Sequence, residues 1–120
     1  MLTVEKLKGF GANTDEGLSR CFGKADFYLR LVKMMADDKH MDGLEQALRA
    51  GDLGAAFENA HALKGVLANL SLTPVLEPVA EMTELLRARA QADYAPLMAQ
   101  ARKKMDELLA ILEDTRKLLG

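Results

Sequence analysis

Between Leu53 and Leu70, apolar residues return every three or four positions, at Leu53, Ala56, Phe57, Ala60, Leu63, Leu67 and Leu70. That spacing commits the segment to an α-helix with one buried face. No long alternating pattern of the kind a strand needs occurs, and only three prolines interrupt the 120 residues. Helix start and stop signals punctuate the rest. Asn13, with Glu16 three residues on, forms a capping box for a short helix to about Cys21, closed by Gly23. Asp26 is placed to cap a second helix carrying Phe27, Leu31, Met34 and Met35 on its apolar side. Asp37-Asp38-Lys39-His40 breaks the pattern, and a helix from Met41 to Arg49 follows on Leu44, Ala47 and Leu48. Gly51 stops it, and Asp52 caps the long helix.

After a Ser71-Leu72-Thr73-Pro74 connection, Thr73 serves as N-cap with Pro74 at the first helical position. Pro78 removes a backbone bond in the second turn, so this helix is expected either to kink or to begin properly only near Glu77. It should run to about Arg89. Ala92-Asp93 opens a last helix through Leu119, with Leu97, Ala101, Met105, Leu108, Leu112 and Leu119 on one side. Long helices joined by short loops make an all-α fold the economical one. The expected architecture is an antiparallel four-helix bundle with additional short N-terminal helices, residues 1–120 forming a single domain.

Sixteen basic against eighteen acidic residues give a formal charge of −2, with no basic excess for nucleic acid or an anionic membrane. Arg102-Lys103-Lys104 reads first as a solvated face and second as a small docking patch. The single Cys21 excludes an internal disulfide framework and a multi-cysteine metal site, and its neighbours Leu18 and Phe22 suggest that it packs as a small apolar residue. Met1 to Val4 runs straight into charged residues without a signal-peptide core, and no apolar stretch could span a bilayer. The expectation is a soluble, cytoplasmic protein.

His61 is one of two histidines. On a helical wheel it falls roughly 120° from the centre of the apolar stripe, on the flank of the helix. Gly65 and Ala68 lie beside it on successive turns, Lys64 stands on the core side of the same patch, and Ala62 and Glu58 complete the outer surface. A free imidazole, with an ordinary pKa of about 6.5, is a competent nucleophile at cell pH. Lys64 can place a cation near a phosphoryl group on that ring. Gly65 costs helix stability, roughly 1 kcal/mol relative to alanine, and a glycine kept there despite the cost marks the close approach of something. Taken singly, each residue has a plainer reading: a solvated histidine, a surface lysine, a helix-packing glycine. Their combination on one exposed face is what points to phosphoryl chemistry. His40 lies in a charged loop and reads as solvated. No ligand spacing joins the two histidines into a metal site. Glu77, Glu81 and Glu84 form a solvated carboxylate row.

The run Ala60-His61-Ala62-Leu63-Lys64-Gly65, followed by Asn69-Leu70, resembles the signature of histidine-containing phosphotransfer (HPt) domains. The approach Leu44, Ala47-Leu48 and Gly51-Asp52, and the earlier Asp26-Phe27-Tyr28-Leu29, are similar to that family too. The resemblance implies a four-helix bundle that neither binds ATP nor phosphorylates itself, and hence is no enzyme. It implies phosphoryl acceptance on His61 from a receiver-domain aspartyl phosphate and transfer to another receiver domain. By the same resemblance Lys64 is the stabilising cation and Gly65 the clearance for docking, and relays of this kind are usually monomers. The surface around the patch, with Glu58, Ala62 and Ala68, is the expected docking surface that encodes partner choice. Partners would be response-regulator receiver domains and a hybrid sensor kinase. The chain would hold no cofactor, the Mg2+ belonging to the partner receiver. Ser71 stands where the family commonly has glycine, and Thr83 where a glutamate is frequent.

Two other functions compete. A sensor kinase's dimerisation bundle also presents a helical histidine, but typically follows it with an acidic residue, where this chain has Ala62. A docking or adaptor module that binds receiver domains without transferring phosphoryl groups would share the same face.

Overall fold

The computed structural model describes residues 2–119, with side chains described through residue 113. Among them lie seven helices and no strand: α1 Val4–Phe10, α2 Thr14–Arg20, α3 Ala25–Met35, α4 His40–Arg49, α5 Leu53–Asn69, α6 Thr73–Arg87 and α7 Ala95–Leu119. The last four pack in chain order as antiparallel neighbours, α4 on α5, α5 on α6 and α6 on α7. Arg102 of α7 ties the circuit back to α4, donating to Asp42 at 2.8 Å and Glu45 at 3.1 Å. Burial alone would lower the Arg102 pKa, but the hydrogen bonds and charges of those two carboxylates outweigh it and raise the value. With Lys104 on Glu107 at 3.2 Å, two members of the basic cluster serve the bundle's own ion pairs. The core holds Leu44, Leu63, Leu67, Val79, Met82 and Leu108, all fully buried, and Cys21 packs within it. No described helix is long and apolar enough to cross a membrane.

Punctuation read from the sequence holds where a side chain does the capping. Asn13 accepts the Glu16 N–H at 3.3 Å and Asp52 accepts the Ala55 N–H at 3.0 Å. Gly51 closes α4 at φ +71°, a left-handed conformation that suits glycine. Several boundaries and faces differ. α1 was not among the expected helices; Thr3 caps it by accepting the Lys6 N–H at 3.1 Å. α3 is capped by the backbone at Lys24, and Asp26 lies inside its first turn. Its buried face is Tyr28, Val32 and Met35, leaving Phe27 and Met34 exposed at 38% and 62%. Apolar residues at both 27/31/34 and 28/32/35 offer two stripes, and Tyr28 decides between them through its bond to α5. His40 opens α4 and is not a loop residue.

Thr73 is the first helical residue of α6, after Leu72 as N-cap, and Pro74 the second. The helix runs unbroken through Pro78, which is buried, so a start near Glu77 is overturned. One missing bond to the Pro74 carbonyl is offset by burying the ring. α6 ends at Arg87, two residues early. α7 starts at Ala95, later than Ala92-Asp93, with Asp93 accepting the Ala95 N–H at 3.1 Å. Leu97 is half-buried against the core that Ala101, Met105, Leu108 and Leu112 enter fully. The side chain of Leu119 lies outside the described residues.

The junction after α5 turns on a single residue in a conformation that glycine adopts most readily. Ser71 has φ +54°, and the Leu72 N–H closes on the Leu67 carbonyl at 3.0 Å, a left-handed helix ending that favours glycine. Serine is held there by its neighbours. Its hydroxyl donates to Glu16 at 3.1 Å, and its carbonyl accepts the Asn13 N–H at 2.9 Å. Arg20 donates to the Ala68 carbonyl at 2.9 Å and the buried Tyr28 hydroxyl to the Leu70 carbonyl at 2.8 Å.

Burial, and secondarily the nearby Cys21, push the Tyr28 pKa from 10.0 up to about 12. The unfolded chain therefore loses this proton first, and the contribution to stability is lost as pH rises from about 10 to 12. Tyr28→Phe should cost about 1–2 kcal/mol in urea unfolding at pH 7, through the orphaned Leu70 carbonyl. The variant should also lose the wild type's Tyr28-linked decline in stability over that alkaline window.

Candidate functional site

The rotational setting of α5 places the candidate site. Ala56, Ala60, Leu63 and Leu67 are buried, and Leu53 and Phe57 half-buried, so the opposite flank faces outward. His61 stands exposed on that flank. Among the described residues no hydrogen bond or ion pair reaches its ring; its one recorded partner is Phe57, stacked with centroids 5.6 Å apart and planes 18° from parallel. Both ring nitrogens are therefore free of protein partners among the described residues.

Gly65, one turn on, is exposed, and a Cβ added there would meet nothing within 4 Å. At Gly17, by contrast, a Cβ would lie 2.6 Å from the Tyr28 ring, and at Gly43 it would run into Asn59. Gly17 is held to glycine by the buried Tyr28 ring, and at Gly43 the Asn59 side chain would have to move. Gly65 meets no such neighbour, so the helix-packing reading of this residue is removed. Ala62 and Ala68 are half-buried and Glu58 is exposed on the same outer side. The wheel thus placed His61, Gly65, Ala68, Ala62 and Glu58 correctly on one open surface.

Lys64 is half-buried toward α6, and its Nζ lies 3.5 Å from Glu84 Oε1. Glu84 Oε2 in turn lies 3.5 Å from Arg87 Nε. Both pairs are long and largely exposed, so each contributes little and is screened by salt. The ammonium of Lys64 is thus only weakly held by α6. Glu77 and Glu81 are exposed, as the carboxylate-row reading requires, while Glu84 is engaged by two cations. Thr83 is fully buried and donates to the Val79 carbonyl at 2.7 Å. His40 Nδ1 sits 2.8 Å from Asp38 and plays no part near His61. Among the described residues no group of three His, Cys, Asp or Glu side chains could hold a metal ion.

Four contributors escaped the sequence reading: Phe57, Glu84, Arg87 and Arg89. The Phe57–His61 contact was discoverable, since residues four apart share a helix face. The others reach the site only because α6 packs beside α5, and no periodicity within one segment reports that. Because nothing crowds the missing Cβ, Gly65→Ala should stabilise the fold by about 0.5–1 kcal/mol in urea unfolding.

Comparison with curated proteins and with solved structures returns no significant match. Residues 31–114 match the Hpt domain. That span covers most of the chain, all of α4 to α6 and the whole candidate surface. Hpt domains are phosphoryl-carrier modules of phosphorelays that interact with response-regulator receiver domains. An all-α bundle presenting an unbonded imidazole on an open helix face agrees with that match, and this chain belongs to the Hpt domain family.

Proposed function

We propose that this chain is the histidine phosphotransfer intermediate of a multistep phosphorelay, taking a phosphoryl group from one receiver domain and delivering it to another. The observation that carries the reading is the exposed His61 ring, with no partner on either nitrogen among the described residues, beside a glycine whose added Cβ would meet nothing within 4 Å. In the accepting step the lone pair of a ring nitrogen attacks the phosphorus of an aspartyl phosphate. The N–P bond forms as the bond to the acyl oxygen breaks, and the carboxylate leaves. The proton on the other ring nitrogen stays in place. Delivery is the reverse, with a second receiver's carboxylate attacking phosphorus and the N–P bond breaking.

Such a transfer requires in-line approach, so the partner's acidic pocket must come up to the ring. Gly65, with Ala62 and Ala68, leaves that approach clear, and Glu58 borders it. Lys64, three residues on along the same helix, would turn from its weak pairing with Glu84 toward the phosphoryl oxygens, where a charge-assisted bond would be stronger. The Mg2+ of the transfer would belong to the receiver, and the chain would carry the group without generating it.

Incubation with a phosphorylated receiver domain should place label on the wild-type chain that survives base and is lost in acid. His61→Gln should take none while keeping its helical circular dichroism, because the ring lies outside the core. Receiver binding without any label on the wild type would instead make the chain a passive docking module. Gly65→Glu should weaken receiver binding by about tenfold or more, by filling the approach with bulk and like charge. Unchanged affinity, measured calorimetrically, would place the docking surface elsewhere.

A further inference from the structure

Reactive histidines are ordinarily aimed by a hydrogen bond at the second ring nitrogen. His61 has no such bond among the described residues. Its recorded restraint is the Phe57 ring, 5.6 Å away and nearly parallel. Phe57 is itself held. The guanidinium carbon of Arg87 lies 5.1 Å from its centroid and that of Arg89 5.2 Å, both within cation–π range.

Neither arginine is idle. Arg87 leans on Glu84 at 3.5 Å. Arg89 has φ +52°, a left-handed conformation that a non-glycine residue adopts at a cost, and its guanidinium donates to the Leu86 carbonyl at 2.6 Å. This residue, two past the end of α6, is thus fixed by backbone and side chain together with its cation beside Phe57.

We propose that Phe57 is the positioning residue for His61, and that Arg87 and Arg89 hold Phe57 in place. The proposal rests on the reading of His61 as the phosphoryl acceptor. A lone imidazole on a helix surface samples several side-chain rotamers. Stacking against a phenyl face narrows that set. The nitrogen lone pairs lie in the plane of the imidazole, so a ring pressed on its face leaves in-line attack at the edge open. The stack therefore restrains the nucleophile without blocking it, and it favours neither nitrogen. A hydrogen bond would instead engage one nitrogen and so select the other as the nucleophile. Aromatic pairs of this kind correspond to about a two- to tenfold effect on the population of the restrained state.

The test compares wild type with Phe57→Leu, Phe57→Trp and the double variant Arg87→Gln/Arg89→Gln, each checked by thermal unfolding. Two readouts are taken on the full chain: the imidazole carbon–proton NMR signals, and the rate of phosphorylation by phosphoramidate. His40, bound to Asp38, is the internal reference for the NMR signals. Loss of the ring current should move the His61 signals downfield in Phe57→Leu and leave those of His40 in place. Phosphorylation of Phe57→Leu should slow about two- to tenfold, Phe57→Trp should recover both readouts, and the arginine variant should fall between. His61 signals in Phe57→Leu that match wild type would overturn the proposal. So would a Phe57→Trp variant as slow as the leucine one. A wild-type chain that accepts no phosphoryl group from any donor defeats the proposed function instead, and the NMR comparison still decides whether Phe57 orders the ring.

Discussion

How far α5 is turned about its own axis decides everything that its outer face can do. Ala56 and Ala60 let neighbouring helices close on one side, and Leu63 and Leu67 fill the space below them. A turn of one residue, about 100°, would carry His61 toward the core. There the imidazole would need partners for its nitrogens or bear the cost of burial without them. The same apolar stripe that holds the bundle together is thus what keeps the ring in solvent. Asp52 at one end and the left-handed Ser71 at the other fix where this setting begins and stops.

The active-face helix was readable because its signals agree: a start residue with a short polar side chain, a stop at Gly51 before it, and one apolar stripe. α3 was not, because its composition supports two stripes and only a distant carbonyl on α5 selects Tyr28. Pro78 misled for a related reason. A missing N–H is a local deficit that any sequence rule registers, whereas the burial that compensates for it depends on what α6 lies against. The helix wheel located His61, Gly65 and their small neighbours, since these share one element. Glu84, Arg87 and Arg89 belong to another, and their arrival beside Phe57 is a matter of helix pairing.

Charge around the site is distributed unevenly. The α6 side carries Lys64, Arg87 and Arg89 against Glu84. The side toward α3 is apolar with two acids, where Met34 stands exposed above Leu31, Val66, Asp37 and Asp38. Glu77 and Glu81 stand exposed further along α6, so the α6 side carries charge of both signs.

The match to the Hpt domain begins at residue 31, yet the end of α5 is stitched to residues well upstream of that point. Asn13, Glu16, Arg20 and Tyr28 between them occupy the Ala68, Leu70 and Ser71 carbonyls and the Ser71 hydroxyl. The three carbonyls are acceptors that a helix C-terminus otherwise leaves to water. The segment from residue 13 to residue 28 therefore acts as a brace for the histidine-bearing rod. Trimming the chain to the family's minimal extent would unpin that rod at its far end, and the loss would be felt as fraying that starts two turns from the imidazole.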